Sequence, residues 1–428
     1  LSAECGPTET DRWARLFACR ALGLIGRTAP AEELVRTMSG RDALLRYEAV
    51  RSLGLAGRAE LLTPAVLTDS DAPVRAAAAD ALAASGDATL AGRLDAVEDA
   101  GSALARAAVT AAYAKLGPRE RALRRLGEDR KDARWWVRAQ AYKTYGELDA
   151  GTAAWTWAQR DADPRVAAAQ LETLFGAAVS RSTRTAAALL VEVLADTAAP
   201  VELVGTAVDL APKAPSASLL PGLKAVRESA LGARYPEVGD AAVEAYNALA
   251  SSFSADAPRL SPVPKTPSEP SPWLGTRLPA TSVVLKTAKG EVEIALAVEE
   301  APIHAAAFAD SARRGVYDGL SWHRVVPGFV VQGGDPRGSG WGDCGFSLRD
   351  EINTLPFDRG VVGMPKAGKD TGGCQLFITL VPTPRLDGRY TAFGRVTRGL
   401  EVVDRLEPGD LIEKAWIAGG GRLSHRAP

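Results

Sequence analysis

The chain has 428 residues, 46% hydrophobic and 24% charged, which is length for two or three domains and enough apolar content to bury real cores. Its formal net charge of -1 offers no electrostatic footprint for nucleic acid or for an anionic membrane surface. The 3 histidines and 4 cysteines have no ligand-like spacing, and no uncharged apolar run approaches the roughly 18 residues of a membrane span. A soluble protein with no metal and no cofactor is expected. The first residue is Leu1 rather than Met, so a trimmed or processed chain is expected too.

The first 250 or so residues are rich in alanine, leucine and arginine, and they repeat. "ARLFACRALGLIG" from Ala14 aligns with segments starting at Leu45, Val74, Ala105, Val137 and Val166, the starts being 31, 29, 31, 32 and 29 residues apart. Eight positions into each segment stands an apolar or aromatic residue: Leu22, Leu53, Leu82, Tyr113, Tyr145 and Leu174. Eight residues is just over two helical turns, so each of these shares a face with the start of its segment. Gly26, Gly57, Gly86 and Gly117 then suit the left-handed position past a helix end. Each unit reads as a helical hairpin that buries its face only by stacking on its neighbours. The pattern resembles HEAT repeats, supported by the Asp and Pro placement in "DSDAPVR" (69–75) and "DADPRV" (161–166). The resemblance implies a superhelical all-α solenoid that takes a partner along its concave face, although the recurring arginines are equally readable as a solvated or stacking ladder.

Between Ser254 and Pro279 the sequence carries prolines at 258, 262, 264, 267, 270, 272 and 279, a density that forbids helix and favours an extended spacer. We expect a solenoid over 1–253, a linker over 254–279 and a second domain over 280–428. After Ala280 the period changes to two. "SVVLKTAKGEVEIAL" predicts a β-hairpin turning at Lys289-Gly290, with Val292, Ile294 and Leu296 on one face. "APIHAAAFADSARRG" predicts a helix with Pro302 near its start and Gly315 at its stop. Short strands separated by glycine-rich turns come next, as in a small closed β-domain.

Within "WHRVVPGFVVQGGD" (322–335), Arg324 and Gln332 bracket an otherwise apolar run. An arginine in apolar surroundings without a carboxylate partner is costly, so it either has a hidden partner or awaits a ligand. With "GVVGMPKAGKDTGGCQLFITL" (360–380) and "RLDGRYTAFGRV" (385–396) in the same order, the region from Thr281 to about Gly419 resembles a cyclophilin. The resemblance implies an all-β closed antiparallel eight-stranded barrel with two capping helices, and peptidyl-prolyl cis–trans isomerase activity. It makes Arg324 the catalytic guanidinium with Gln332 beside it. Phe329, Val330, Phe377, Leu386 and Tyr390 would line the proline pocket and Gln375 would lie next to it. The Pro365-Lys366-Ala367 backbone would hold the peptide preceding the proline. His323 and Phe393 are read as structural.

The sequence departs from the family pattern at several places. Arg385 stands where the best-known eukaryotic members have tryptophan, which implies weak inhibition by cyclosporin. Cys374 stands where serine is normal, and Cys344 lies in a loop that in this fold passes over the same secondary pocket. That facing placement suggests a disulfide that stiffens the loop, against the alternative of two independent thiols. Cys5 and Cys19 could form a second bridge, and oxidation of either pair would favour a periplasmic or secreted location over a cytoplasmic one. The functional expectation is an isomerase acting on proline-containing chains, with the solenoid binding clients or another protein. The alternatives are a non-catalytic proline-peptide scaffold or chaperone, and an adaptor dominated by the solenoid.

Overall fold

All six repeated segments lie in helices: Arg12–Ile25, Ala43–Leu55, Ala72–Ser85, Ala103–Leu116, Trp135–Leu148 and Pro164–Val179. This computed structural model describes residues 12–97, 102–148, 156–254, 258–262 and 271–418. The helices start where the sequence provides a cap. Asp42 accepts hydrogen bonds from Leu44 N (2.9 Å) and Leu45 N (3.2 Å), and Asp71, Ser102 and Asp163 cap the starts of three later units. Each such cap contributes about 1 kcal/mol. The prolines of "DSDAPVR" and "DADPRV" sit in the first turn of their helices, where the missing N–H costs nothing.

Successive long helices touch through a recurring small residue. A Cβ on Gly23, Gly54 or Gly146 would lie 2.9, 2.7 or 2.6 Å from Ser52, Ala81 or Thr173 of the next unit. The recurring arginines reach forward along the chain: Arg46 to the loop residue Asp69 at 2.7 Å, Arg138 to the loop residue Asp161 at 2.8 Å, and Arg106 to Asp129, the last residue of helix Arg119–Asp129, at 3.1 Å. Burial alone would raise the Asp69 pKa, yet the Arg46 guanidinium and the Asp71 N–H hold it below the ordinary carboxylate value. Leu22, Leu53, Leu82 and Tyr113 are buried as expected, whereas Tyr145 and Leu174 are half-buried and Thr144 and Phe175 take the core positions. Gly26, Gly57 and Gly86 adopt positive φ. Gly117 does not: it is extended (φ -90, ψ -179) because Pro118 comes next and excludes helical conformations from the preceding residue.

The chain divides into two units, residues 1–263 and 264–428. The described parts of the proline-rich stretch pack on their own units. Asn247 exchanges two hydrogen bonds with the Leu260 backbone (3.0 and 2.8 Å). On the other side, Trp273 is 5% exposed and meets the Phe346 ring edge-on at 4.8 Å.

The second unit is an antiparallel sheet of eight strands. In chain order its strands are β1 (Ser282–Thr287), β2 (Gly290–Leu296), β4 (Arg324–Val326), β5 (Val330–Gly333), β6 (Val361–Gly363), β7 (Leu376–Thr379), β8 (Ala392–Arg398) and β10 (Lys414–Ile417). Their spatial order is β10-β1-β2-β8-β6-β7-β5-β4, and β3 (Leu320–Ser321) pairs with β9 (Leu411–Ile412) as a separate ribbon. The expected closed barrel is therefore an open curled sheet in its ladders: β4 and β10 share no pairing. The reason is local, since Trp322 and His323 interrupt the run from β3 to β4, and Glu413 interrupts the run from β9 to β10. Trp322 instead bonds backbone to backbone with Asp410 and Gly409 (2.8 Å each). In the first hairpin Thr287 pairs with Gly290, so the turn residues are Ala288 and Lys289, one position earlier than expected. Helices Pro302–Arg313 and Leu400–Val403 accompany the sheet, with Phe393 and His323 both buried. Among the described residues no helix is long and apolar enough to cross a membrane, and no cluster of metal-ligating side chains occurs.

Candidate active site

The β4–β5 hairpin sets the site. Pro327 and Gly328 (φ 67) turn the chain, with Phe329 N donating to Val326 O at 3.0 Å. Proline before a glycine of positive φ is a tight-turn signature. The register places Arg324 opposite Gln332 and Gln332 opposite Phe377 of β7. Two residues of one hairpin and a third, Phe377, from far along the chain thus lie in one row across the sheet. Arg324 is exposed and forms no ion pair among the described residues, so its charge points outward with only the Phe329 ring 5.9 Å from its Cζ.

Beside that guanidinium lies an apolar cluster. Val330, Phe357, Val361, Phe377, Leu386 and Ala392 are buried in it, with Phe329, Leu355 and Tyr390 packed against them. All five residues expected to line the pocket are in this cluster. Phe377 stacks on Phe357 (5.5 Å) and meets the Tyr390 ring edge-on (5.9 Å). Gly363 makes room for both phenyl rings: a Cβ there would lie 2.3 Å from Phe377 and 2.6 Å from Phe357. Phe357 is absent from the residues expected on motif grounds. Its only signal in the sequence is an aromatic after proline in "NTLPF", outside the three quoted blocks.

A polar chain runs along one side. Gln332 Nε2 donates to Gln375 Oε1 at 3.1 Å, and Gln375 Nε2 donates to the carbonyls of Gly340 (2.9 Å) and Gly342 (3.1 Å). The loop carrying those glycines is wound around Asp335, a 1% exposed carboxylate that accepts from the backbone N–H of Arg337, Ser339 and Gly340. Cys344 at the end of this loop is disulfide-bonded to Cys374, the neighbour of Gln375, with Cα atoms 5.9 Å apart. Of the other cysteine pair, Cys19 is buried in its helix and Cys5 lies outside the described residues.

On the remaining side Lys366 Nζ sits 2.5 Å from Asp350 and 5.5 Å from the Tyr390 ring centre. Ala367 N–H donates to Thr371 Oγ1 at 2.9 Å, and Pro365 has no N–H to give. Beneath the sheet His304 Nδ1 and Glu351 Oε2 are 2.5 Å apart, and Glu351 also accepts from the Ile303 and His304 backbone. Burial would raise the Glu351 carboxyl, but these bonds hold it below its ordinary value.

An exposed guanidinium that forms no ion pair among the described residues, at the edge of an aromatic floor, describes a site that binds an apolar ring and offers it a hydrogen-bond donor. Comparison with known proteins assigns that class. Residues 282–422 match the model of the cyclophilin type peptidyl-prolyl cis-trans isomerase/CLD family, and residues 8–83 match that of HEAT repeats. Peptidyl-prolyl cis-trans isomerase B of Bacillus subtilis (strain 168) is 44% identical over 131 residues, 30% of this chain and 92% of that protein. A peptidyl-prolyl cis-trans isomerase of Helicobacter pylori (strain ATCC 700392 / 26695) is 43% identical over 133 residues, 30% of this chain and 82% of that one. A solved cyclophilin of Cryptosporidium parvum overlaps 33% of this chain and 100% of its own at 28% identity and a TM-score of 0.32. The chain belongs to the cyclophilin family, and its second unit is a peptidyl-prolyl cis–trans isomerase preceded by helices that begin as HEAT repeats.

Proposed function

We propose that Arg324 is the transition-state donor of this isomerase, that Gln332 acts beside it, and that Phe329, Val330, Phe377, Leu386 and Tyr390 hold the proline ring. The observation that carries the reading is the row Arg324, Gln332, Phe377 across three strands, with the apolar cluster at its end. The barrier to rotating an Xaa-Pro bond is about 18–20 kcal/mol, because planar resonance is lost at the top. As the bond twists, the nitrogen regains its lone pair and can accept a hydrogen bond it cannot accept when planar. A donor aimed there binds the twisted state alone, which is what lowers a barrier. Gln375 and the backbone of Pro365, Lys366 and Ala367 would take the peptide preceding the proline. The β3–β9 ribbon and the Trp322 backbone bonds would complete the family's barrel, with the two helices as its caps.

The domain division expected from the sequence, 1–253, 254–279 and 280–428, stands as part of this proposal. The helical units would bind clients or a partner protein and raise the local concentration of proline segments at the isomerase. Rates of the intact chain and of a 264–428 fragment test this. Both should isomerise a short Xaa-Pro peptide equally well, while proline-limited refolding of a protein substrate runs faster with the intact chain. Equal refolding rates would exclude recruitment by the solenoid.

A further inference from the structure

The turn Pro384–Leu386 brings a second guanidinium to the ring that Arg324 faces. Arg385 Cζ lies 4.2 Å from the Phe329 ring centre and Arg324 Cζ lies 5.9 Å from it. Both side chains are exposed, and neither forms an ion pair among the described residues. Other arginines of the same unit do: Arg313 with Asp310, Arg359 with Asp404, and Arg398 with Glu291. Two positive groups without an ion pair among the described residues lie against one aromatic ring, so the local potential is positive and favours an anion bound beside them. A guanidinium stacked on a ring also has its planar fork oriented in advance, so holding a carboxylate costs it less side-chain freedom. Lys366 lacks this property, because it is already neutralised by Asp350 at 2.5 Å.

We infer that Arg385 is a specificity-determining residue that selects proline segments carrying an aspartate or glutamate just after the proline. The inference rests on the proposed reading that residues 365–367 take the peptide before the proline, which leaves the Phe329 and Arg385 side for the residues after it. The substrate class is an acidic proline-containing segment, and the acid acts only on the downstream side.

The test uses the full chain and peptides identical except at one position: Glu or Gln directly after the proline, and in a second pair Glu or Gln directly before it. The downstream Glu/Gln ratio of kcat/KM should be about three- to tenfold at low salt, the size expected of an exposed but pre-oriented charge pair. It should shrink as salt is raised. Arg385→Gln should bring the ratio below about twofold, and Arg385→Lys should retain part of it. Because the ratio is internal to each variant, partial loss of folded protein cancels. A wild-type ratio near one, a ratio that Arg385→Gln leaves unchanged, or an equal preference upstream would overturn the inference. Arg324→Ala measured on the Gln peptide separates the two layers: no loss of rate there would overturn the site assignment and this inference together.

Discussion

Replacing Arg324 with alanine isolates the proposed donor because so little else depends on it. The side chain is exposed, forms no ion pair among the described residues, and touches one ring at 5.9 Å. Truncation should therefore cost under about 1 kcal/mol of stability, about 2–4 °C or less for a domain of this size. A charge-assisted hydrogen bond made only in the transition state contributes about 1.5–3 kcal/mol, so the rate should fall roughly 10- to 150-fold. The loss should appear in kcat with KM nearly unchanged, as for an interaction absent from the ground state. Arg324→Lys should fall between, since a point charge lacks the planar fork. The assay is exchange between cis and trans forms of a short Xaa-Pro peptide in the intact chain, alongside a thermal melt. A loss below about threefold with an unchanged melt would refute the donor role. So would a loss carried entirely by KM.

Other parts of the second unit carry further expectations. Serine at both Cys344 and Cys374 should destabilise it by up to about 4 kcal/mol for a loop closed over 30 residues, and should relax selectivity for residues before the proline. An unchanged melt and an unchanged peptide profile would show that the bridge constrains nothing. Glu351 has a folded-state pKa below its unfolded value, so its contribution is present above about pH 4.5 and is lost as pH falls through the lower folded value. Acid melts of Glu351→Gln should accordingly lose this pH dependence, whereas a parallel curve would dissociate the carboxyl from acid sensitivity. A fragment starting at 280 lacks Trp273, which is 5% exposed against Phe346, and should melt lower than one starting at 264 by the cost of a buried aromatic, about 3 kcal/mol or more.

The helical half was legible because a repeat states its own geometry. Apolar residues eight positions apart and caps at fixed offsets mark where each long helix starts, and those starts carry the same spacings as the sequence segments to within a few residues. What failed was phase and exception. Thr144 replaces Tyr145 in the core because hydrophobicity alone does not say which of two neighbouring positions faces inward when both are packable. Gly117 fails as a left-handed cap because the next residue is proline, a rule visible in the sequence and outweighed there by the glycine pattern.

In the second unit, motif order was enough to gather the five residues into one apolar cluster, since Val330 and Phe377 lie on paired strands, Phe329 and Tyr390 lie next to strands, and Leu386 sits in the Pro384–Leu386 turn. The supports of the site were less legible. Phe357 is separated in sequence from the residues it stacks on, and Asp335 reads as a polar end to a strand until three backbone N–H groups are seen to point at it. Long-range contacts of this kind carry no local pattern.

The same contacts tie loop order to the proposed donor. Asp335 and the disulfide fix the two ends of residues 335–344, Gln375 holds the carbonyls between them, and Gln375 in turn accepts from Gln332, the cross-strand partner of Arg324. Trp273 adds a contact from the proline-rich stretch two residues beyond Cys344, at Phe346. The proposed mechanism depends on how rigidly one donor and one apolar floor are held, so these supports bear on rate as directly as they bear on stability.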